Sequence, residues 1–266
     1  MSHTKIIIKN NVRIYASDYT KIAQEAINRH KTKPLASLAL STAIAVFGPL
    51  STMKKEGRTT ALYKFNGVLK NLLVESNVEG DIRALVGNPN VETDFDKKDI
   101  NQIPIRVGMG EVGTLKIVNE WNGQQFGGEV SMANGDITTD LAFYFDQSEQ
   151  TRTAVVSDIK MKDAQKIERA YSMIFQLLPS STEEDIVWIE EFIKNNKMSS
   201  MSFEEYVDKI DGLLLEVKDT RWKCTCTDEK MKNIADMIPP KEREEIILEF
   251  GFLEVTCNYC NKIFKY

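Results

Sequence analysis

The chain has 266 residues, with 34 basic and 39 acidic side chains and a formal charge of −5. Apolar residues at 42% and charged residues at 27% exclude wholesale disorder, collagen and a polytopic membrane protein. The mild acidity argues against a general nucleic-acid or anionic-membrane binder, and only 2 histidines, His3 and His30, argue against a His-rich metalloenzyme.

From the N-terminus the elements alternate irregularly. Stretches rich in β-branched residues predict strands over Lys5–Ile8, Thr59–Phe65, Ile82–Val86, Thr114–Val118 and Thr153–Ile159. Helical patterns cover Tyr19–His30 (Asp18 as N-cap), Pro34–Phe47 and Ile137–Phe145. Asn66-Gly67 and Asn122-Gly123 read as hairpin turns, because both residue types tolerate positive φ. The expected fold class is α+β, with a large N-terminal mixed domain over 1–178. The uncharged run Pro34–Met53 approaches the length of a membrane span. Its Ser and Thr content and its Gly48-Pro49 break favour a helix buried in a soluble core. The N-terminus carries no secretory pattern, so the expected compartment is the cytoplasm.

Residues 179–220 carry 4 basic and 11 acidic side chains, net −7, and predict an amphipathic helical linker. Thr182 and Asp185 stand at capping-box spacing before Ile186, Ile189 and Ile193. Ser202 and Glu205 do the same before Tyr206, Val207, Ile210, Leu214 and Val217, which share one helical face with Phe203. Such a helix is marginal by itself and depends on docking, which suits a folding switch.

All 4 cysteines fall in the last segment, 221–266: Cys224 and Cys226, then Cys257 and Cys260 after a spacer of 30 residues. Two short pairs on separate turns supply two edges of a tetrahedron, and thiolate sulfur suits Zn²⁺. With no histidine in this half, an all-cysteine tetrad is the complete ligand set. An Fe–S cluster lacks its usual multi-cysteine run, and static disulfides are disfavoured in the cytosol. Between the pairs, Thr227 caps a helix over Asp228–Met237, and Pro239-Pro240 starts another over Lys241–Phe250, stopped by Gly251. The apolar set Ile234, Met237, Ile246, Ile247, Phe250 and Phe252 is small, so this unit is expected to need the metal to fold. Lys223, Lys230 and Lys262 are candidates to offset the charge of four thiolates.

Gly108, Gly110 and Gly113 match G-x-G-x-x-G, but a strand-like stretch follows where a dinucleotide site needs a helix. A turn is the better reading. There is no phosphate-binding G-x-x-x-x-G-K-[ST] and no hydrolase constellation.

The segment CTCTDEKMKNIADMIPPKEREEIILEFGFLEVTCNYC resembles the redox switch of the bacterial redox-regulated heat-shock holdase chaperones, the HslO family. GDIRALVGNPNV, GMGEVGTLKIVN and GDITTDLAFYFDQSEQTRTAV, with Ser148-Glu149-Gln150, extend the likeness in order over nearly the whole chain. Ala84 stands where the family usually has Gly, and Tyr171-Ser172 replaces a Gly pair. The resemblance implies an ATP-independent holdase rather than an enzyme. Its Zn²⁺ would be held by Cys224, Cys226, Cys257 and Cys260 when reduced. On oxidation Cys224–Cys226 and Cys257–Cys260 would form disulfides, the tighter Cys-X-Cys ring closing second. Zinc would leave, the linker would loosen, and residues 1–178 would bind unfolded client proteins and dimerise. No nucleic acid or membrane partner is implied. Two rival readings are a zinc-ribbon module contacting nucleic acid, which wants a basic face, and a thiol oxidoreductase using Cys257 and Cys260, which wants a helix after the motif.

Overall fold

A computed structural model describes residues 1–92 and 100–266. The chain divides into two compact units, Met1–Trp222 and Lys223–Tyr266.

The first unit is built on one mixed sheet of ten strands. β1 (Ser2–Lys9) and β2 (Val12–Asp18) form a hairpin, followed by helices α1 (Thr20–His30) and α2 (Pro34–Phe47). β3 (Arg58–Phe65), β4 (Asn71–Asn77) and β5 (Asp81–Val86) make an antiparallel meander. The single turn α3 (Arg106–Met109) leads into the hairpin β6 (Gly113–Trp121) and β7 (Gln124–Ser131). After α4 (Ile137–Gln147) come β8 (Thr153–Asp163) and β9 (Lys166–Leu177), then α5 (Glu183–Asn195), α6 (Phe203–Asp208) and β10 (Leu213–Trp222). The strand order is β7-β6-β3-β4-β5-β10-β1-β2-β9-β8. This mixed, mainly antiparallel sheet with separate helices is the α+β class expected.

β10 joins the two halves of the sheet. It runs antiparallel to β1 from Thr220 opposite Ser2 to Leu213 opposite Ile8. It meets β5 only through Arg221 beside Asp81 and Trp222 beside Ile82, in parallel. Gly80 makes that junction possible. Its φ is +82°, and a Cβ there would lie 2.1 Å from the Asp219 carbonyl oxygen.

One face of the sheet is covered by α1, α2 and α4, with Tyr15, Tyr63, Leu72, Ile82, Leu115 and Ile174 reaching into their common core. α2 and the following 3₁₀ turn are buried inside the fold from Leu35 to Thr52. The small side chains Ala36, Ala39, Ala43 and Ala45 permit the helix to be enclosed on all sides. The opposite face of the β1-β2-β9 half presents Ile7, Val12, Ile14, Ala16, Met173 and Phe175. α5 and α6 cover it.

Residues 179–220 belong to the first compact unit, and only part of them is helical. Both capping boxes form, at Thr182/Asp185 and Ser202/Glu205. The second helix, however, ends at Asp208. Asp211 takes φ +50° and Gly212 packs against Ile7, so the chain turns and continues as β10. The expected helical face breaks there. Phe203, Tyr206, Val207 and Ile210 are buried, whereas Leu214 and Val217 lie on the strand and are exposed. The free backbone of β1 competes for this segment and outweighs its helical pattern.

Two turns differ in kind. Asn122-Gly123 closes the β6–β7 hairpin with φ of 48° and 73°, as the sequence predicts. Asn66-Gly67 instead opens a longer connection between β3 and β4. There Asn66 Oδ1 accepts the Glu111 and Val112 backbone N–H groups, and Gly67 lies against the backbone of Gly108 and Met109. The glycine motif 108–113 is therefore a packed turn before strand β6, with no helix after it. Asp18 falls one place outside the N-cap of α1, which is Tyr19; its carboxylate accepts the Thr20 N–H at 3.0 Å.

Candidate metal centre and the docked helices

In the second unit, Cys224 and Cys226 lie on the extended segment before α7 (Asp228–Ala235). Thr227 caps that helix by accepting the Lys230 N–H. After α8 (Pro240–Phe250), Gly251 takes φ +80° and ends the helix, as expected. Cys257 and Cys260 then sit in the turn of a small hairpin, β11 (Glu254–Thr256) with β12 (Ile263–Lys265). The Asn261 N–H donates to the Cys257 carbonyl at 2.8 Å, and Asn261 at φ +56° reverses the chain. Tyr266 extends the hairpin by exchanging backbone bonds with Leu253 at 2.8 and 2.9 Å, and its hydroxyl donates to the Asp228 carbonyl at 3.0 Å. Sequence reasoning did not single out this brace between the hairpin and α7.

The four predicted cysteines come together, with all four Sγ atoms within 4.8 Å of one another. The Cys224–Cys257 and Cys226–Cys260 sulfur pairs are 3.6 and 3.5 Å apart. A tetrahedral ion with bonds of about 2.3 Å to sulfur needs S···S separations of about 3.8 Å, so the donor set fits a four-coordinate metal. Protonation behaviour points the same way. Burial opposes ionisation of Cys224, but the Cys226 backbone and the neighbouring thiols outweigh it, and its thiol titrates below the usual value. Burial and then the neighbouring sulfurs push Cys226 up, and burial pushes Cys260 up. Ionisation of Cys226 and Cys260 is opposed in this setting, and a cation bound among the sulfurs would offset that cost.

Two of the lysines named as charge partners make contacts beside the cysteine pairs. Lys230 donates to the Thr225 carbonyl at 3.1 Å, and the Lys262 ammonium sits 4.7 Å from the centre of the Phe264 ring.

The apolar core of this unit is smaller than expected. Its buried side chains are Met231, Ala235, Leu253, Cys257, Cys260 and Phe264. Ile234, Met237, Ile247 and Phe250, expected inside, are exposed. α8 leans on α7 through the Arg243–Asp236 ion pair and buries no residue fully. Two of the six buried residues are thus metal-ligand candidates, so the sulfur cluster is the structural centre of the unit.

In the first unit, α5 and α6 are held by a few polar anchors around an aromatic cluster. Asp185 is buried and accepts the Thr182 N–H at 2.9 Å and the Asn11 side-chain amide at 3.1 Å. These donors, Thr182 first, hold its carboxyl below the usual range. The Ser202 backbone N–H does the same for Glu205. Arg169 on β9 donates to the Ser199 carbonyl at 3.1 Å, Lys9 to the Asp211 carbonyl at 2.6 Å, and Lys5 pairs with Glu204. Phe192 is the hub of the cluster, with Phe175, Trp188 and Tyr206 rings centred 5.9, 5.5 and 5.3 Å away. Sequence reasoning placed Ile189, Ile193, Phe203, Tyr206, Val207 and Ile210 of this cluster but missed Trp188, Phe192 and the sheet face beneath. Tyr15 and Ile174, which face the other core, interrupt the spacing of Ile14 and Ala16 and of Met173 and Phe175, so no clean alternation marks that face.

Comparison with known proteins places this sheet, its covering helices and the four-cysteine unit among chaperones. The sequence model of the family described as Hsp33 protein matches residues 2–266. The chain is 29% identical to the 33 kDa chaperonin of a Geobacillus species (strain WCH70), over 96% of this chain and 90% of the relative. It is 28% identical to the 33 kDa chaperonin of Bacillus subtilis, over 94% and 89%. Its structure superposes on the crystal structure of the 33 kDa chaperonin (heat shock protein 33 homologue) of Thermotoga maritima with a TM-score of 0.88 at 26% identity, covering 100% of this chain and 93% of the other. The chain belongs to the Hsp33 family of heat-shock chaperones.

Proposed function

We propose that this chain is a redox-regulated, ATP-independent holdase that is silent when reduced and binds unfolding proteins after oxidation. The observation that carries this reading is the sulfur cluster at the centre of a unit with almost no other core. When bound there, Zn²⁺ would supply folding free energy, roughly 10–16 kcal/mol in comparable small domains. In the reduced state Cys224, Cys226, Cys257 and Cys260 hold the ion as thiolates. Peroxide or hypochlorite would then take two electrons from each thiolate pair, Cys224–Cys226 and Cys257–Cys260, and would itself be reduced, with protons taken up from solvent, to water or to chloride and water. The two disulfides would leave no thiolate ligand set for a metal, and residues 223–266 would lose their centre.

The first unit responds through chain continuity. Cys224 follows Trp222, the last residue of β10, by two positions, and β10 follows α6 directly. β10 pairs with β1 but meets β5 through two residue pairs alone, and it leaves Leu213, Leu214, Leu215 and Val217 exposed. Fraying of β10 loosens α5 and α6 and uncovers Ile7, Val12, Ile14, Ala16, Met173 and Phe175. That apolar sheet face binds extended or partly folded clients, and the oxidised protein works as a cytoplasmic homodimer. The fold-energy change far exceeds the ~5.5 kcal/mol that moves a two-state equilibrium from 1:99 to 99:1.

The test is a peroxide titration of the metal-loaded chain, following free thiols, released metal and tryptic cleavage at Lys194, Lys197 and Lys209 together. The reading requires metal release and cleavage to track thiol loss. Thiol loss with full metal retention contradicts it.

A further inference from the structure

The first unit carries oxidisable sulfur of its own beside the sheet face that α6 covers. Met198 and Met201 flank the turn between α5 and α6 and pack into the cluster that docks these helices. Met198 is buried at 7% exposure, whereas Met201 is only partly buried. Met201 also stands directly before the N-cap Ser202, and Tyr206 is the fourth residue of the helix. Met201 and Tyr206 thus stand at the spacing of a hydrophobic staple, which fixes how the chain enters a helix, and both belong to the same apolar cluster. α6 has only six residues, too few to persist without its cap and staple. It carries Phe203, Tyr206 and Val207 onto the sheet face.

We propose that Met201 is a second oxidation site of this chain, and that its conversion to the sulfoxide undocks α6. A hypohalous acid or a peroxide is the oxidant. With hypochlorous acid, the thioether sulfur gains one oxygen and loses two electrons, the chlorine is reduced to chloride, and a proton goes to solvent. The product replaces a soft apolar side chain at the staple with a strongly polar one. This input is independent of metal release: it acts on α6 directly and needs only that α6 is docked in the reduced protein.

The two inputs separate by their reversibility. The full metal-loaded chain is treated with hypochlorite, then with dithiothreitol and zinc, which restore the thiols but leave sulfoxide in place. Peptide mass mapping locates the added oxygen, and tryptic cleavage at Lys194, Lys197 and Lys209 reads undocking. Residual cleavage about tenfold above the untreated protein is expected, the factor that ~1.4 kcal/mol supplies. It should vanish after methionine sulfoxide reductase and be absent in Met201→Leu, which keeps the staple without the thioether. Met237→Leu, altering a fully exposed methionine, should leave it unchanged. Met201→Gln should raise cleavage without any oxidant. Residual cleavage equal in Met201→Leu and the parent, or an unoxidised Met201 alongside a fully oxidised Met237, overturns the proposal. Failure of the cysteine switch would appear instead as cleavage unaffected by dithiothreitol and zinc in every variant.

Discussion

Phe192 is the side chain on which the docking of α5 and α6 most depends. It is 6% exposed and touches rings from three elements: Phe175 on β9, Trp188 on its own helix and Tyr206 on α6. Phe192→Ala removes a buried aromatic group at a cost of about 3–5 kcal/mol. It also breaks the only ring-to-ring contact between the two helices among the described residues. If docking is a local equilibrium, the undocked population rises by roughly two to three and a half orders of magnitude. Limited trypsinolysis of the reduced, metal-loaded variant reads this directly, because cleavage follows the open population when reclosing is fast. Lys194, Lys197 and Lys209 should be cut long before any site in residues 1–178. Suppression of aggregation should appear without oxidant. Val187→Ala, at an exposed position of the same helix, should stay within about 0.5 kcal/mol of the parent. Unchanged cleavage in Phe192→Ala, or cleavage starting in residues 1–178, would refute the reasoning that these helices are the lid on the sheet.

Other consequences concern single groups. Cys257→Ser should lower metal content and loosen residues 223–266, seen as faster amide exchange across the β11–β12 hairpin; unchanged metal content would remove Cys257 from the ligand set. Hydrogen bonds from backbone N–H groups hold the Asp185 and Glu205 carboxyls each below its own ordinary value. Their stabilisation is therefore present above the unfolded values and lost as pH falls through the depressed folded ones. Sensitivity of α5 and α6 to an acid-active protease should rise as pH falls through the depressed folded values, and Asp185→Asn should flatten that response. Gly80→Ala forces a side chain against the Asp219 carbonyl at a left-handed position, at a cost of ~1–3 kcal/mol. Amide exchange at Arg221, whose N–H donates to the Gly80 carbonyl at 2.8 Å, should accelerate; protection equal to the parent would show that the β5–β10 junction tolerates it.

The metal centre was legible in the sequence because cysteine is scarce and its spacing is local: two short pairs, each on one turn, need little tertiary information to be read as a tetrad. The capping boxes at Thr182 and Ser202 were legible for the same reason. What failed depended on distant partners. Leu213–Trp222 has apolar spacing that continues the α6 face, yet it becomes strand because β1 offers a free edge after the Asp211-Gly212 turn. β2, β4, β7 and β9 escaped as strands. β2 and β9 lie between two covered faces, so their apolar residues run nearly continuously and lose the alternation that marks a half-buried strand. Ile234, Met237, Ile247 and Phe250 were counted as core by hydrophobicity alone, whereas the sulfur cluster takes that role and leaves them outside.

The most direct test of the whole account compares two preparations of the same chain against an aggregating, chemically unfolded protein. One is reduced and zinc-loaded; the other is oxidised with peroxide. The account predicts that the reduced form leaves aggregation unchanged and that the oxidised form suppresses it near equimolar ratio. Equal suppression by both forms, or by neither, would contradict it.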